Sequence, residues 1–467
     1  MKVALVSLPK NEFRYPPIGL LRIATYIKNN VRDIEVRLID NTFEDIYHEI
    51  DSFSPDFIGI TTFTSYYQEA IDFAKIIKSK KSVKIIIGGP HITTLPESFN
   101  KIFDFGILGE GEETIVELID ALKMNKNLGE IKGLVYYKKD KLIENKERAL
   151  SPDLDSVHKI NYNFLNKRYF EKKFIPEIGN FGVSLGMMTS VGCPFNCRFC
   201  SIKACWRTIR FRKISSVVEE IKDLYYRYGV RHIDFFDDLF SINKVRLTEL
   251  YEKLKKEELL NKLTFSCQGR ANMIDDEMCK ILKKLNIKAI TFGFESGSDK
   301  VLKYIKSDSN ISVNMNKNAI VMCKKYRINI FGVLMMGIPT ETVEDMQKTI
   351  SFIDFARKMG ALKIWTQILV PLPATEIWEI AKKRGKIKDY NNNWKDINIH
   401  NRKNPLLLDE NVPYEDFLKK YALAKKKCRF FVYRLFLKTL INNPLTIFYF
   451  TREGLFYIKR LLEFLKQ

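Results

Sequence analysis

Along the first 125 residues, short runs of apolar residues alternate with helix-length amphipathic segments. The runs at 3–7, 35–39, 57–60, 84–87 and 105–108 are apolar almost throughout, the pattern of strands buried on both faces. Helical patterns begin near Gly19, Phe43, Tyr66, Leu95 and Glu112. Five strands with helices between them predict an α/β fold, a doubly wound parallel sheet whose ligands bind beyond the carboxyl ends of the strands. Glycines and small polar residues gather at those ends: Thr61-Thr62, Gly88-Gly89-Pro90-His91 and Gly109-Glu110-Gly111-Glu112. Segments 132–137 and 142–144, parted by the polar Lys138-Lys139-Asp140, predict a closing hairpin.

A second alternation follows, with candidate strands at 183–189, 232–236, 264–267, 289–294, 329–335 and 364–370. Six successive strand–helix units predict an open, partial (β/α)6 barrel with its chemistry at the carboxyl ends of the strands. The chain therefore divides into a first domain at 1–144, a linker without strong period at 145–182, a barrel at 183–385 and a helical extension at 386–467. No internal repeat or low-complexity segment stands out.

The 467 residues are too many for one ordinary core and suit two domains with an appendage. A net charge of +21 accompanies Lys and Glu interleaved along most helices, which is the mark of solvated faces. No short basic block interleaved with aromatics suggests nucleic-acid binding. The first residues, MKVALVSLPK, run straight into a strand pattern with no stretch suited to a signal peptide, and no run of about 18 apolar residues predicts a spanning helix.

Eight cysteines occur, at positions 193, 197, 200, 205, 267, 279, 323 and 428. Three within eight residues and the rest scattered do not make a secreted disulfide framework, and a reducing cytoplasm fits better. Gly192-Cys193-Pro194-Phe195-Asn196-Cys197-Arg198-Phe199-Cys200 falls just after the first barrel strand. Thiolates at this spacing can wrap one corner of an iron–sulfur cube and leave the fourth iron open for a substrate or cofactor. A zinc site would want a fourth Cys or His, for which Cys205 is available, and three unrelated buried cysteines are the bland alternative.

This CxxxCxΦC pattern, with Phe199 in the aromatic position, resembles the radical S-adenosylmethionine (SAM) superfamily. The resemblance implies a [4Fe-4S] cluster on Cys193, Cys197 and Cys200, whose open iron chelates SAM and whose electron cleaves it to methionine and a 5′-deoxyadenosyl radical. Later motifs fall in the family's order: 235–240 after the second barrel strand, 266–270 after the third, Gly293-Phe294-Glu295-Ser296-Gly297 after the fourth and 332–339 closing the fifth. The resemblance implies SAM contacts from Phe199, from Arg270 toward the carboxylate, from Glu295 and Ser296 toward the ribose, and from the Gly337 turn toward the adenine. Arg270 is equally readable as a barrel-mouth salt bridge, and Asp237-Asp238 as a cap of the following helix.

Residues 1–140 resemble the cobalamin-binding domain that precedes the barrel in one large class of these enzymes. Pro16-Pro17-Ile18-Gly19-Leu20, 55–60, Gly88-Gly89-Pro90-His91 and Gly109-Glu110-Gly111-Glu112 carry the likeness. The glycines let backbone amides approach a large flat ligand closely, and cobalamin contacts are expected from Thr61, Thr62, Gly88, Gly89, His91, Gly109, Glu110 and Gly111. The DxHxxG motif, whose histidine replaces the lower axial base in other B12 enzymes, is absent; the second strand is followed by Asp40-Asn41-Thr42-Phe43-Glu44-Asp45. His91 invites a cobalt-ligand role, with a structural hydrogen bond at a helix start as the alternative.

These likenesses lead to an enzyme that uses SAM and cobalamin to methylate an unactivated carbon. Radical cyclisation or oxidation, as in the anaerobic magnesium-protoporphyrin ester cyclases, is the alternative within the same architecture. A methylthiotransferase would need three further cysteines ahead of Cys193, where there are none, and a non-catalytic cobalamin sensor would not need an open iron. Expected partners are a small-molecule or lipid-like substrate and an electron donor such as ferredoxin or flavodoxin, with no nucleic acid. The tail at 428–467 sets aromatic clusters beside Arg and Lys, which suits contact with the inner face of a membrane as well as packing on the barrel.

Overall fold

A computed structural model of the chain describes residues 1–10, 15–155, 159–387, 394, 397, 406–408 and 411–442, the last thirteen by their backbone alone. The first sheet holds β1 (Lys2–Ser7), β2 (Glu35–Asp40), β3 (Phe57–Thr61), β4 (Lys84–Gly88), β5 (Phe105–Ile107), β6 (Leu134–Lys138) and β7 (Lys141–Glu144), in the order β2-β1-β3-β4-β5-β6-β7. The first five run parallel; β6 and β7 close the edge antiparallel, as the polar turn between them predicts. This order changes direction between β1 and β3, and the crevice at such a switch point is where doubly wound sheets take ligands.

Helices α1 (Ile18–Asn30), α2 (Ile46–Phe53), α3 (Tyr67–Lys80), α4 (Pro90–Thr94) and α5 (Glu112–Met124) connect these strands. The chain enters α2 through Asp45, whose carboxylate accepts from the Tyr47 and His48 amides at 3.0 and 3.3 Å. The helix expected near Leu95 instead starts at Pro90 and lasts five residues. Proline at the first helical position, behind Gly89 at φ +99°, brings the start forward.

Segment 145–182 is not a featureless linker. It carries the hairpin β8 (Lys173–Ile175) and β9 (Asn180–Gly182). It also ties the two halves together: the Asn161 amide donates to Thr25 Oγ1 at 3.0 Å, and Asp155 accepts from Arg212 Nε at 3.0 Å.

The second half opens with β10 (Ser184–Met187), the two-residue β11 (Ser190–Val191), α6 (Ile202–Trp206), β12 (Arg210–Phe211) and α7 (Ile214–Tyr228). There follow β13 (His232–Phe235), α8 (Lys244–Lys256), β14 (Thr264–Gly269), α9 (Asp276–Lys284), β15 (Ile287–Glu295), α10 (Asp299–Lys306) and α11 (Val313–Lys325). Then come β16 (Asn329–Met336), α12 (Val343–Met359), β17 (Lys363–Ile368), α13 (Glu376–Lys383) and α14 (Tyr414–Asn442). The all-parallel order β10-β13-β14-β15-β16-β17 leaves β10 and β17 unpaired at the edges, the open barrel expected. Alternate residues such as Phe235, Phe265, Cys267, Phe292 and Phe294 bury one face of these strands in the main core.

Helix α14 packs on β17 and α12. Its Phe417, Ala424 and Cys428 are buried, so the beginning of the supposed interfacial tail is ordinary core. The side chains of 430–442 and all of 443–467 lie outside what the structure describes. Among the described residues, no helix is long and apolar enough to cross a membrane.

Candidate functional site

The three-cysteine loop is pinned at its base by an antiparallel neck in which β11 pairs with β12. Gly192, at φ +87°, follows the neck; a Cβ there would lie 2.3 Å from the Thr208 carbonyl oxygen, so only glycine fits. Cys193, Cys197 and Cys200 are half-buried, and the Cys200 amide donates to the Cys197 carbonyl at 3.1 Å, curling the loop. Outside the curl, the Arg198 amide donates to Ile305 O at 3.0 Å and Arg198 O accepts from the Ile377 amide at 3.2 Å, so α10 and α13 brace it.

Two carboxylates brace the loop from within. Buried Asp237 accepts from the Thr189 amide at 2.7 Å and from the Thr189 and Ser190 hydroxyls, each at 2.6 Å. Asp238 accepts from the Gly192 amide at 2.8 Å. The pair therefore grips the approach to the cysteines rather than capping the next helix. The other five cysteines are buried, Cys205 on α6 among them. Burial pushes the Cys200 thiol up to about 12.

Arg270 sits beside this loop, and not in a remote salt bridge alone. Its Nη1 lies 3.5 Å from Cys197 Sγ, its Nη2 donates to Asp308 at 2.9 Å and its Nε to Asn272 at 3.0 Å. The guanidinium also stacks 3.8 Å from the centre of the Phe195 ring. Phe199 packs against the apolar cluster that holds Met335, Ile338, Leu369 and Ile377.

Glu295 holds φ +60°, an uncommon backbone for glutamate, at the end of β15. Its Oε1 accepts from Lys306 Nζ at 2.7 Å, both side chains being buried. Ser296 is fully buried, 3.2 Å from Thr349 Oγ1 and accepting from the Ser298 amide at 3.1 Å, so its hydroxyl builds the turn. Gly337 takes φ +82°, and its amide donates at 2.8 Å to the buried Glu341. Glu341 was missed by sequence reasoning; an acidic residue just behind an apolar Gly-Ile-Pro turn was the available signal.

The amino-terminal loops meet this assembly from the other side. At Gly89 a Cβ would lie 2.6 Å from Thr61 Oγ1 and 2.8 Å from Thr62 O, so the turn requires glycine. Thr62 is buried and its hydroxyl donates to Phe63 O at 3.0 Å, while Thr61 and Gly88 stay partly open. Gly109, at φ +76°, donates to Thr93 Oγ1 at 2.9 Å and has empty space where a Cβ would stand. Gly111 is hemmed by Ile107 and Ile23, each 3.3 Å from the Cβ position. The Glu110 carboxylate takes Arg210 of β12 at 2.8 Å and the Ser151 amide at 2.8 Å.

His91 is fully buried, with Nδ1 3.1 Å from Thr64 Oγ1 and Nε2 3.1 Å from Ser98 Oγ. Tyr67 and Trp394 cover its ring at 4.0 and 4.6 Å between centroids. Both nitrogens are engaged by hydroxyls, the structural hydrogen-bond arrangement at a helix start. Helix α4, which follows Gly88-Gly89, packs against α6, which follows Cys200. The glycine-bearing edge of the first sheet thus abuts the thiol loop of the barrel.

The residues present suit the groups implied: three thiols without a fourth, a guanidinium beside them, and backbone edges bare of Cβ on the facing sheet. Comparison with known proteins agrees. Residues 187–353 match the radical SAM superfamily and residues 6–119 the B12 binding domain. An uncharacterized methyltransferase of Pyrococcus horikoshii is 33% identical over 373 residues, 78% of each chain. The anaerobic magnesium-protoporphyrin IX monomethyl ester cyclase of Cereibacter sphaeroides is 24% identical, over 80% of this chain and 60% of its own. The structure of the radical SAM methyltransferase TsrM from Kitasatospora setae superposes with a TM-score of 0.69 at 17% identity, covering 83% of this chain and 79% of that one. The chain belongs to the radical SAM superfamily, in the class that carries a B12-binding domain ahead of the barrel. A [4Fe-4S] cluster, SAM and cobalamin are the cofactors of that class.

Proposed function

We propose that this enzyme transfers a methyl group to an unactivated carbon of a small-molecule substrate. The observation that carries the reading is the abutment of α4 on α6, which brings the bare backbone edge at Gly88-Gly89 against the helix that follows the three thiols. The methyltransferase from Pyrococcus horikoshii supports it. When bound, the cluster supplies an electron to SAM, SAM a hydrogen-abstracting radical, and cobalamin a transferable methyl group.

The chain's own residues have separate tasks. Cys193, Cys197 and Cys200 hold the cluster, and the neck with Asp237 and Asp238 keeps them in place. Arg270 sets a fixed positive charge beside Cys197 that attracts the SAM carboxylate. Glu295, positioned by Lys306, and the Gly337 turn, positioned by Glu341, border the remaining SAM surface, while Phe199 backs the loop with apolar packing. Gly88, Gly89, Gly109 and Gly111, with Thr61 and Thr62, form the cobalamin-facing edge. An acidic carrier such as ferredoxin or flavodoxin suits a chain of net charge +21 as electron donor. The basic, aromatic segment 443–467 supports a resting place on an anionic membrane surface.

The deciding experiment supplies SAM labelled in its methyl group to the reconstituted enzyme and follows the label by mass spectrometry. Label in the product establishes methylation. An unlabelled, cyclised or oxidised product replaces the reading with the cyclase-type one.

A further inference from the structure

The two ends of the barrel differ in the sign of their charge. Each crossover helix of a parallel barrel ends where the next strand begins. The helix ends and turns at 227–231, 255–262, 283–286, 324–328 and 357–362 therefore all lie at the amino ends of β13–β17. They hold twelve Lys and Arg against Glu257 and Glu258. The turns at the carboxyl ends, 236–243, 270–275, 296–298 and 337–342, hold Arg270 alone against Asp237, Asp238, Asp275 and Glu341.

A cation in a helix's last turn answers the macrodipole, which accounts for Lys256, Lys283, Lys284 and Lys358. It does not account for Lys262 and Arg327, which stand beyond their helices. All six are exposed, and among the described residues none has a carboxylate within ion-pair distance. The hairpin β8–β9 covers the middle of this end, where Glu177 O accepts from Asn329 Nδ2 at 2.8 Å, and leaves the rim bare.

Helix α14 leads to the same end. Lys420 Nζ donates to Gln347 Oε1 at 2.7 Å and Lys427 Nζ to Asp354 at 2.5 Å, so α14 runs beside α12 and in its direction. Helix α12 stops at Met359, five residues past Asp354, whereas the α14 backbone continues to Asn442, fifteen past Lys427. At 1.5 Å per residue, α14 projects about 15 Å beyond α12 on the basic side. Segment 443–467, with Phe448-Tyr449-Phe450 and Arg452, Lys459 and Arg460, follows from there.

We infer that this basic rim docks on an anionic lipid bilayer, with the carboxyl ends of the strands turned to the water. Eight of the twelve cations are lysines, point charges on flexible stems that suit a diffuse layer of headgroups; recognition of nucleic-acid phosphates favours the arginine fork. The chain that leaves this end carries the rings that enter an acyl boundary. Seated so, the thiol loop and the first domain stay on the far side from the lipid, and substrate reaches them from solution. The inference rests on the reading that segment 443–467 brings the chain to a membrane surface, and adds the face that meets it.

The cluster-loaded full chain is spun with sucrose-filled vesicles of phosphatidylglycerol mixed with phosphatidylcholine, and with phosphatidylcholine alone. Pelleting is expected on the mixed vesicles only, and salt should weaken it. Lys256→Gln, Lys262→Gln, Lys283→Gln, Lys284→Gln, Arg327→Gln and Lys358→Gln together should weaken it more than about tenfold, since each cation near such a surface is worth about fivefold. Removing as many charges from the first domain, by Lys75→Gln, Lys80→Gln, Lys123→Gln, Lys126→Gln, Lys138→Gln and Lys139→Gln, should leave partitioning close to the parent's. Acetylation footprinting of the parent needs no variant: Lys256, Lys262, Lys283, Lys284 and Lys358 should lose reactivity on the vesicles while Lys75 and Lys126 keep it. Equal weakening by the two variants, rim lysines that stay reactive, or release from the vesicles by a mixed-sequence RNA duplex overturns the inference. A full chain that does not pellet removes the membrane reading as well, whereas pelleting with a reactive rim leaves the tail as the anchor and sinks this inference alone.

Discussion

Arg210, just past the cysteine loop, grips Glu110 of the first domain's glycine loop, with Nη2 2.8 Å from Oε1 and side chains only 10% and 14% exposed. The two residues are 100 positions apart and bind the cobalamin-type sheet to the cluster-bearing half. Removing one member leaves the other buried and uncompensated, which costs about 3–5 kcal/mol. Arg210→Ala is expected to lower stability by that order in urea unfolding and to release cobalamin on gel filtration. Glu110→Gln keeps hydrogen-bonding atoms in place and should do less. A double-mutant cycle between the two positions must show coupling; additive losses would mean that the contact does not join the halves.

Asp237 gives the second prediction. Burial raises its pKa while three donors from Thr189 and Ser190 pull it back. Asp237→Ala would strand those donors, at about 1–3 kcal/mol each, and loosen the strand that leads into Cys193. Expected results are a lower iron content after reconstitution and faster loss of the brown absorbance on chelator challenge, with Asp237→Asn intermediate. Full iron with normal chelator resistance in the alanine variant would show that the neck holds without it. Cys193→Ala, Cys197→Ala and Cys200→Ala together should abolish both the absorbance and SAM cleavage, whereas Cys205→Ala should leave them.

Strands were the most legible feature of this chain, because each is apolar on both faces and lies between helix-length patterns. The cysteine spacing was legible for a different reason: its chemistry is local, confined to eight residues. What escaped was settled by distant partners. Nothing near Glu110 announces Arg210, and nothing near Asp237 announces Thr189. Sequence order also hid the hairpin β8–β9, whose short strands are set among charged residues such as Glu171, Lys172 and Glu177. Ser296 and His91, polar residues at strand ends, bond to hydroxyls on neighbouring elements that nothing in their own segments announces.

The carboxyl-terminal segment yields a third prediction. Phe448-Tyr449-Phe450 stands near Arg452, Lys459 and Arg460, a composition that places rings at the acyl boundary and cations at anionic headgroups. Because α14 packs through Phe417, Ala424 and Cys428, the informative truncation ends at Asn442 and keeps that packing. The full chain should pellet with anionic vesicles more than the shortened one, and salt should weaken the difference. Equal pelleting of the two removes the membrane role.

His91 supports a prediction that joins cofactor chemistry to stability. Ser98 Oγ donates to Leu95 O at 2.7 Å, so its own proton is used and His91 Nε2 must donate to it at 3.1 Å. Nδ1 then bears the lone pair and accepts a hydrogen bond from the Thr64 hydroxyl at 3.1 Å. The imidazole is therefore neutral and has no free nitrogen for cobalt. Burial lowers its pKa from 6.5 to about 3. In the unfolded chain the ring takes up a proton as pH falls through 6.5, whereas the folded ring stays neutral until about 3. Stability contributed by this group is thus present above pH 6.5 and is lost progressively below it, at up to about 1.4 kcal/mol per pH unit. Urea unfolding of the parent between pH 7 and 5 should show this slope, and His91→Gln, weaker overall, should lack its share. With cobalamin bound as cobalt(II), the parent spectrum should carry no nitrogen hyperfine splitting from a histidine, and His91→Gln should leave it unchanged. Splitting that disappears in the variant would place His91 on the metal and refute the hydroxyl-bonded arrangement.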